Sequence, residues 1–384
     1  MSKRFLFVVP PLAGHVNPTL AVAAALRTRG HQVAWVAHPR RVRPLLPEDA
    51  ELIALDDGVS DDVWRPILER ARNVRGLESY QFLWEEVLVP LARGMRPGVE
   101  AAIATYRPDV VVVDHQAIGG ALACRRLGAR WATFCTTSAS IINPFGDLPK
   151  IDEWTQAKLR GLEAEADLPA VAEPDLSPEL VVVFSTKELV GEDAFPLHYR
   201  FVGPSLGRAE TASFPMDALR DLPRVLVSLG TVSAEVGEKF FATVVAAFAD
   251  APLQIVLVAP PALVPGAPEN FIVQARVPQL ALMPKLAAVV CHAGHNTVCE
   301  ALAHGVPLVV TPIRDDQPVV AAQVVKANAG IRLKYGRLTP ALLRDATARV
   351  LGEPSFRQAA QRIAKSFSDA GGASAAANHL ENLA

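Results

Sequence analysis

Four cysteines stand among 384 residues, Cys124, Cys135, Cys291 and Cys299, and no two form a Cys-x-x-Cys pair. Each lies in an apolar stretch, so buried free thiols are expected in place of a disulfide framework, which suits a reducing cytoplasm. Net charge is almost absent: 38 Lys and Arg against 40 Asp and Glu leave -2. That balance gives no bulk attraction for nucleic acid or an anionic membrane. No uninterrupted apolar run approaches the ~18–20 residues of a membrane span. Phe5–Val9 is too short for a secretory signal and ends in two prolines, so a first β-strand is expected there. No Gly-x-Gly and no P-loop occur, so a dehydrogenase or NTPase lacks its fingerprint. No Asp-x-Asp and no His/Cys cluster of metal-ligand spacing occur either. Neither a metal nor a cofactor is expected.

The length fits two domains of about 150–200 residues each. Half the residues are hydrophobic and one fifth are charged, an ordinary globular balance. Short β-branched runs alternate with longer Ala-rich or amphipathic stretches. Strands are expected at 4–9, 32–36, 110–113, 131–134 and 180–184, then at 225–228, 254–258, 288–291 and 308–311. Their continuous apolar character implies sheets covered on both faces, and the intervening helices imply parallel βαβ units. One helix is signposted by Asn17 as cap, Pro18 at its first position, Arg27 and Arg29 near its end and Gly30 as terminator. Another is expected from Asn296 to His304. Residues 205–223 are rich in turn formers and weakly periodic. The expected plan is a first domain over 1–208, a linker over 209–223 and a second domain over 224–370. Each is α/β, a Rossmann-like doubly wound parallel sheet, and the two are expected to face one another across a cleft.

The segment 276–317 concentrates polar residues after a buried strand. A strand ends at Cys291, a turn holds Gly294, and a helix starts near Asn296. Its unpaired N–H groups and positive dipole end suit an anion. His292, Asn296 and Thr297 add donors. Glu300 lies one turn on; its carboxylate would accept from sugar hydroxyls and repel a phosphate set directly upon it. Asp316 and Gln317 follow a further strand and could bond a hexose. An ordinary βαβ unit in which Asn296 merely caps the helix competes with this reading.

Pro278-Gln279, His292, Gly294, Asn296, Thr297, Glu300, Gly305-Val306-Pro307 and Asp316-Gln317 together resemble the signature of the UDP-glycosyltransferase superfamily, with its two-domain GT-B fold. The resemblance implies that His292 and Thr297 contact the pyrophosphate, Glu300 the ribose, and Asp316 and Gln317 the donor sugar. Thr231 would face the phosphates, and Arg276, Val277 and Gln279 would bind the donor. Two positions depart from the pattern. Arg276 stands where many members carry a base-stacking Trp; a guanidinium can stack too, but UDP and TDP are then harder to tell apart. His295 stands where a Trp often precedes the Asn. The resemblance also implies that residues 371–384 form a helix crossing back to the first domain.

His15 sits at the end of the first strand beside a helix start, whose dipole disfavours an imidazolium and leaves a ring able to accept a proton. Asp114 ends the run Val110–Val113 and would fix the tautomer of such a base. On spacing alone Asp114 reads equally as a turn residue; the resemblance matches His15 and Asp114 to an inverting His–Asp dyad. The expectation is metal-independent single displacement. The donor is a UDP- or TDP-sugar, and the acceptor is a hydroxyl of a hydrophobic small molecule such as a polyketide or macrolide. A nucleotide-sugar epimerase and a non-catalytic protein on the same fold remain alternatives. Gly203-Pro204-Ser205-Leu206-Gly207 satisfies the esterase G-x-S-x-G pattern, but a linker-like stretch follows it, so Ser205 is not expected as a nucleophile. Trp64, Phe82, Trp84 and Phe145 are candidate acceptor-wall residues, with helix-to-sheet packing as the competing role.

Overall fold

A computed structural model describes the chain apart from residues 56–60, 72–73, 143–147, 192–193, 208–212 and 231–236, and gives the backbone alone at 61–64 and 68. The chain divides into two units. The first comprises 1–186, 194–207 and 370–384; the second comprises 187–193 and 208–369. Residues 187–193 join the second unit because Leu189 is buried in its core beside Leu226 and Val289.

The first unit holds β1 (Arg4–Val8), β2 (Gln32–Ala37), β3 (Glu51–Ala54), β4 (Val110–Asp114), β5 (Trp131–Cys135), β6 (Val181–Val183) and β7 (Tyr199–Phe201). They form one sheet in the order β3-β2-β1-β4-β5-β6-β7, each neighbouring pair parallel. The second unit holds β8 (Arg224–Ser228), β9 (Gln254–Val258), β10 (Phe271–Gln274), β11 (Ala288–Cys291), β12 (Leu308–Val310) and β13 (Gly330–Arg332). Their order is β10-β9-β8-β11-β12-β13, again parallel throughout.

Alternate residues of each inner strand enter different cores. Phe5, Phe7, Val110 and Val112 face one side of the first sheet, and Leu6, Val8, Val111 and Val113 the other. In the second sheet Leu226 and Val289 oppose Val225 and Val290. Burial on both faces is why these strands read as unbroken apolar runs. Sequence reading missed β3, β7, β10 and β13, which are the four sheet edges. Their segments Glu-Leu-Ile-Ala, Tyr-Arg-Phe, Phe-Ile-Val-Gln and Gly-Ile-Arg mix polar with apolar residues, as strands with one open side do.

The first helix corrects its expected start. It runs Ala13–Thr28 with an extended Leu12 before it. His15 N–H and Val16 N–H both donate to the Leu12 carbonyl, at 3.0 and 3.1 Å, which closes a turn ahead of Pro18. Asn17 is therefore an exposed helical residue and Pro18 a buried interior one. The end agrees with expectation: Gly30 has φ 86°, and Gly30 N–H and His31 N–H return to Arg27 and Leu26 carbonyls, a Schellman closure.

The final helix, Gly372–Leu383, packs on Ala13–Thr28. It places Ala376, Ala377 and Leu380 in the core that holds Phe5 and Phe7. Glu381 accepts from Arg29 and from His31 Nε2. All four cysteines are free and buried. No described helix is long and apolar enough to cross a membrane.

Candidate active site

Strand order places the polar residues. In the first sheet the chain moves outward from β1 to β3, then returns and moves the other way from β4 to β7. The switch lies between β1 and β4, and ligands of open α/β sheets bind beyond the carboxyl ends of strands at such a switch. His15 lies in the first turn of the helix after β1, Asp114 is the last residue of β4, and Thr136 directly follows β5. Asp114 pairs with Phe134 in register, which brings the turn after β5 alongside it.

The structure brings His15 and Asp114 into contact. His15 Nδ1 lies 2.9 Å from Asp114 Oδ1 and 3.0 Å from Oδ2. Thr136 Oγ1 donates to Asp114 Oδ2 at 2.7 Å and lies 2.9 Å from His15 Nδ1. The Gln116 backbone N–H donates to Asp114 Oδ1 at 2.8 Å. Nδ1 therefore faces three oxygens. The carboxylate can only accept and the single Thr136 proton is committed to it, so Nδ1 carries the hydrogen and Nε2 the lone pair. The Asp114 side chain is fully buried. Burial pushes its carboxyl up, but the facing His15 and His115 and the donated hydrogen bonds outweigh that and hold it below the ordinary carboxylate range. A buried carboxylate without such partners would cost several kcal/mol. His115 Nδ1 lies 3.7 Å from Asp114 Oδ1, and its ring centre is 5.3 Å from that of His15.

Sequence reading missed Thr136. Its only local signal was Thr136-Thr137-Ser138 directly after an apolar strand. Ser205 Oγ donates to the Pro18 carbonyl at 2.6 Å, so it ties a loop to a helix and forms no nucleophile elbow.

The second sheet repeats the arrangement, its switch lying between β8 and β11. Gly230 follows β8 and His292 follows β11. The His292 ring lies between Gly230 and Gly294: a Cβ on either would fall 2.5 Å from it. Burial lowers His292 to about 4, against the opposing pull of Asp316, so the ring is neutral at physiological pH. The helix His295–Ala303 has Gly294 at its N-cap. That moves the expected helix start one residue earlier, and Asn296 is the second helical residue. Ala293 takes φ 66°, and this left-handed step turns the chain from β11 into the helix. Within the helix Val298 N–H reaches back to the Gly294 carbonyl.

Gln279 Nε2 donates to Glu300 Oε2 and lies 3.4 Å from Thr297 Oγ1, so three expected donor-binding residues meet. Asp316 is the N-cap of the helix Gln317–Lys326. Gln317 is buried, and its Oε1 accepts from Ile313 and Arg314 N–H at 2.8 and 3.1 Å. Arg276 is exposed, whereas the Val277 side chain lies in the core, leaving Val277 only its backbone to offer. Thr231 and Phe145 lie outside the described residues, as does the Trp64 side chain. Phe82 is half-buried under the Arg70 guanidinium, 5.5 Å from its ring centre. Trp84, a candidate acceptor-wall residue, is 7% exposed and packs with Leu88, Ile118, Leu122 and Leu159.

Residues 223–370 match the family model described as UDP-glucoronosyl and UDP-glucosyl transferase. The chain is 31% identical to demethyllactenocin mycarosyltransferase of Streptomyces fradiae, over 98% of this chain and 86% of that one. The chain belongs to the UDP-glycosyltransferase family. NDP-glycosyltransferase YjiC of Bacillus licheniformis is 29% identical, covering 97% and 95% of the two chains. Among solved structures, the calicheamicin glycosyltransferase CalG4 is 25% identical and superposes with a TM-score of 0.81, covering 100% and 98%. The fold is thus GT-B and the protein a glycosyltransferase. In this glycosyltransferase His15 and Asp114 stand in the first unit, and the family's nucleotide signature in the second.

Proposed function

We propose that the protein moves a sugar from a nucleoside-diphosphate donor, UDP- or TDP-linked, to a hydroxyl of a hydrophobic natural product, with inversion and without a metal. The observation that carries this is the His15 ring oriented by Asp114 and Thr136. With Nδ1–H held by oxygens, Nε2 takes the acceptor proton. The acceptor oxygen attacks the anomeric carbon as the bond to the diphosphate breaks, and the diphosphate departs with the electron pair. Asp114 then balances the imidazolium. A neutral His292 N–H, Thr297 and the first N–H groups of His295–Ala303 hold the leaving diphosphate. Glu300, released from Gln279, accepts from the ribose. Acceptor class is suggested by the named substrates of the relatives, lactenocin and calicheamicin types.

In single-turnover assays at saturating donor, His15→Ala and Asp114→Asn should each slow transfer by about 10²–10⁴-fold. Proton NMR of the product should show the anomeric configuration opposite to the donor's. Full transfer by His15→Ala, or retained configuration, would sink the reading.

A further inference from the structure

Besides the dyad, His115 converges on Asp114, and no part of the proposed transfer uses it. One ligand atom from each of His15, Asp114 and His115 lies within 4.8 Å of the others. Two imidazoles and a carboxylate form the donor set that zinc takes, with a fourth position left for water. The set is already braced from outside: Gln116 N–H and Thr136 O–H orient the carboxylate, as outer-shell donors do around metal ligands.

We propose that His15, Asp114 and His115 form an inhibitory site for Zn²⁺ and similar borderline divalent cations. The chemistry follows from the tautomer. A cation entering beside Asp114 takes the Nδ1 lone pair of His15. A neutral imidazole has one hydrogen, so it moves from Nδ1 to Nε2. Nε2 then has a hydrogen where the transfer needs a lone pair, and the acceptor hydroxyl has no base. Cu²⁺ and Ni²⁺ share the preference for imidazole, whereas Mg²⁺ and Ca²⁺ favour all-oxygen cages and are not selected. Inhibition rests on the proposed role of His15; binding does not.

The test uses full-length, metal-free protein with Zn²⁺, Co²⁺ as its coloured substitute, and Mg²⁺ as control. Co²⁺ should give the intense visible absorption of a four-coordinate site, displaced by Zn²⁺ and untouched by Mg²⁺. Zn²⁺ should inhibit transfer, reversibly on chelation. His115→Phe keeps a ring and removes the nitrogens; it should transfer normally without metal yet need at least about tenfold more Zn²⁺ for half-inhibition. His115→Asn serves if melting curves show that the Phe variant misfolds. No four-coordinate Co²⁺ spectrum, or an unchanged Zn²⁺ dose in the His115 variant, overturns the site. Full metal-free transfer by His15→Ala would instead remove the base reading and leave the Co²⁺ titration to judge the site.

Discussion

His15 and His292 show how position divides one residue type into two uses. His15 touches a buried carboxylate, which orients its ring. His292 is enclosed by backbone, and its burial opposes charge. A histidine whose folded value is about 4 against about 6.5 unfolded binds fewer protons in the native state than in the unfolded state between those pH values. Stability is therefore fully present above pH 6.5 and falls as pH drops from there toward 4. The difference corresponds to roughly 3 kcal/mol. Urea titrations across that window should show the fall, and His292→Gln should flatten it. An equal slope in the variant would assign the effect to other groups. Asp114 acts in the same direction from a lower window: its depressed value contributes stability above the ordinary carboxylate range and loses it in stronger acid.

At the scale of elements, the turns after β8 and β11 are built around the His292 ring. Gly294 has ordinary backbone angles, so its lack of a side chain serves space alone. Gly294→Ala places a methyl 2.5 Å from His292 Nε2, and overpacking of that kind costs about 1–3 kcal/mol. Melting curves should show that loss, together with weaker binding of a nucleoside diphosphate. Combining it with His292→Ala should recover most of the stability, since the two changes share one contact. Additive losses would mean that the glycine serves the chain path and not the ring. The helix starts teach a related point. Asn17-Pro18 looked like a cap and Asn296 like a helix start, yet backbone turns at Leu12 and Gly294 begin both helices earlier. A residue suited to capping does so only where the preceding strand delivers it.

On the scale of the whole molecule, two units repeat one plan: a parallel sheet that reverses its direction of growth, with polar residues gathered at the reversal. In the second unit that place holds His292, and Gln279 reaches Thr297 and Glu300 on the helix that follows His292. A ligand that binds only the folded state at about one hundred times Kd stabilises it by about 2.7 kcal/mol, which is several degrees in Tm for a unit of this size. UDP and TDP should both raise the Tm, and inorganic phosphate should do so far less. Arg276→Ala should reduce the nucleotide shift if its exposed guanidinium stacks on the base. Unchanged shifts would remove Arg276 from the base site.

By itself the sequence determined the nine inner strands and the run of polar residues at a helix start of the second unit; His15 and Asp114 were paired only through the family resemblance. Burial on both faces forces contiguous apolar runs, and helix-terminus chemistry needs particular residues at close spacing, so both leave local marks. Only the tertiary structure decided the rest. It supplied the four edge strands, whose mixed composition carries no periodic signal. It turned Trp84 into a core residue, because which helix face is covered depends on the neighbours. It also set Thr136 beside an aspartate 22 residues away and a histidine 121 residues away. Those distances are fixed by the order in which strands pair, and no local pattern of side chains encodes that order.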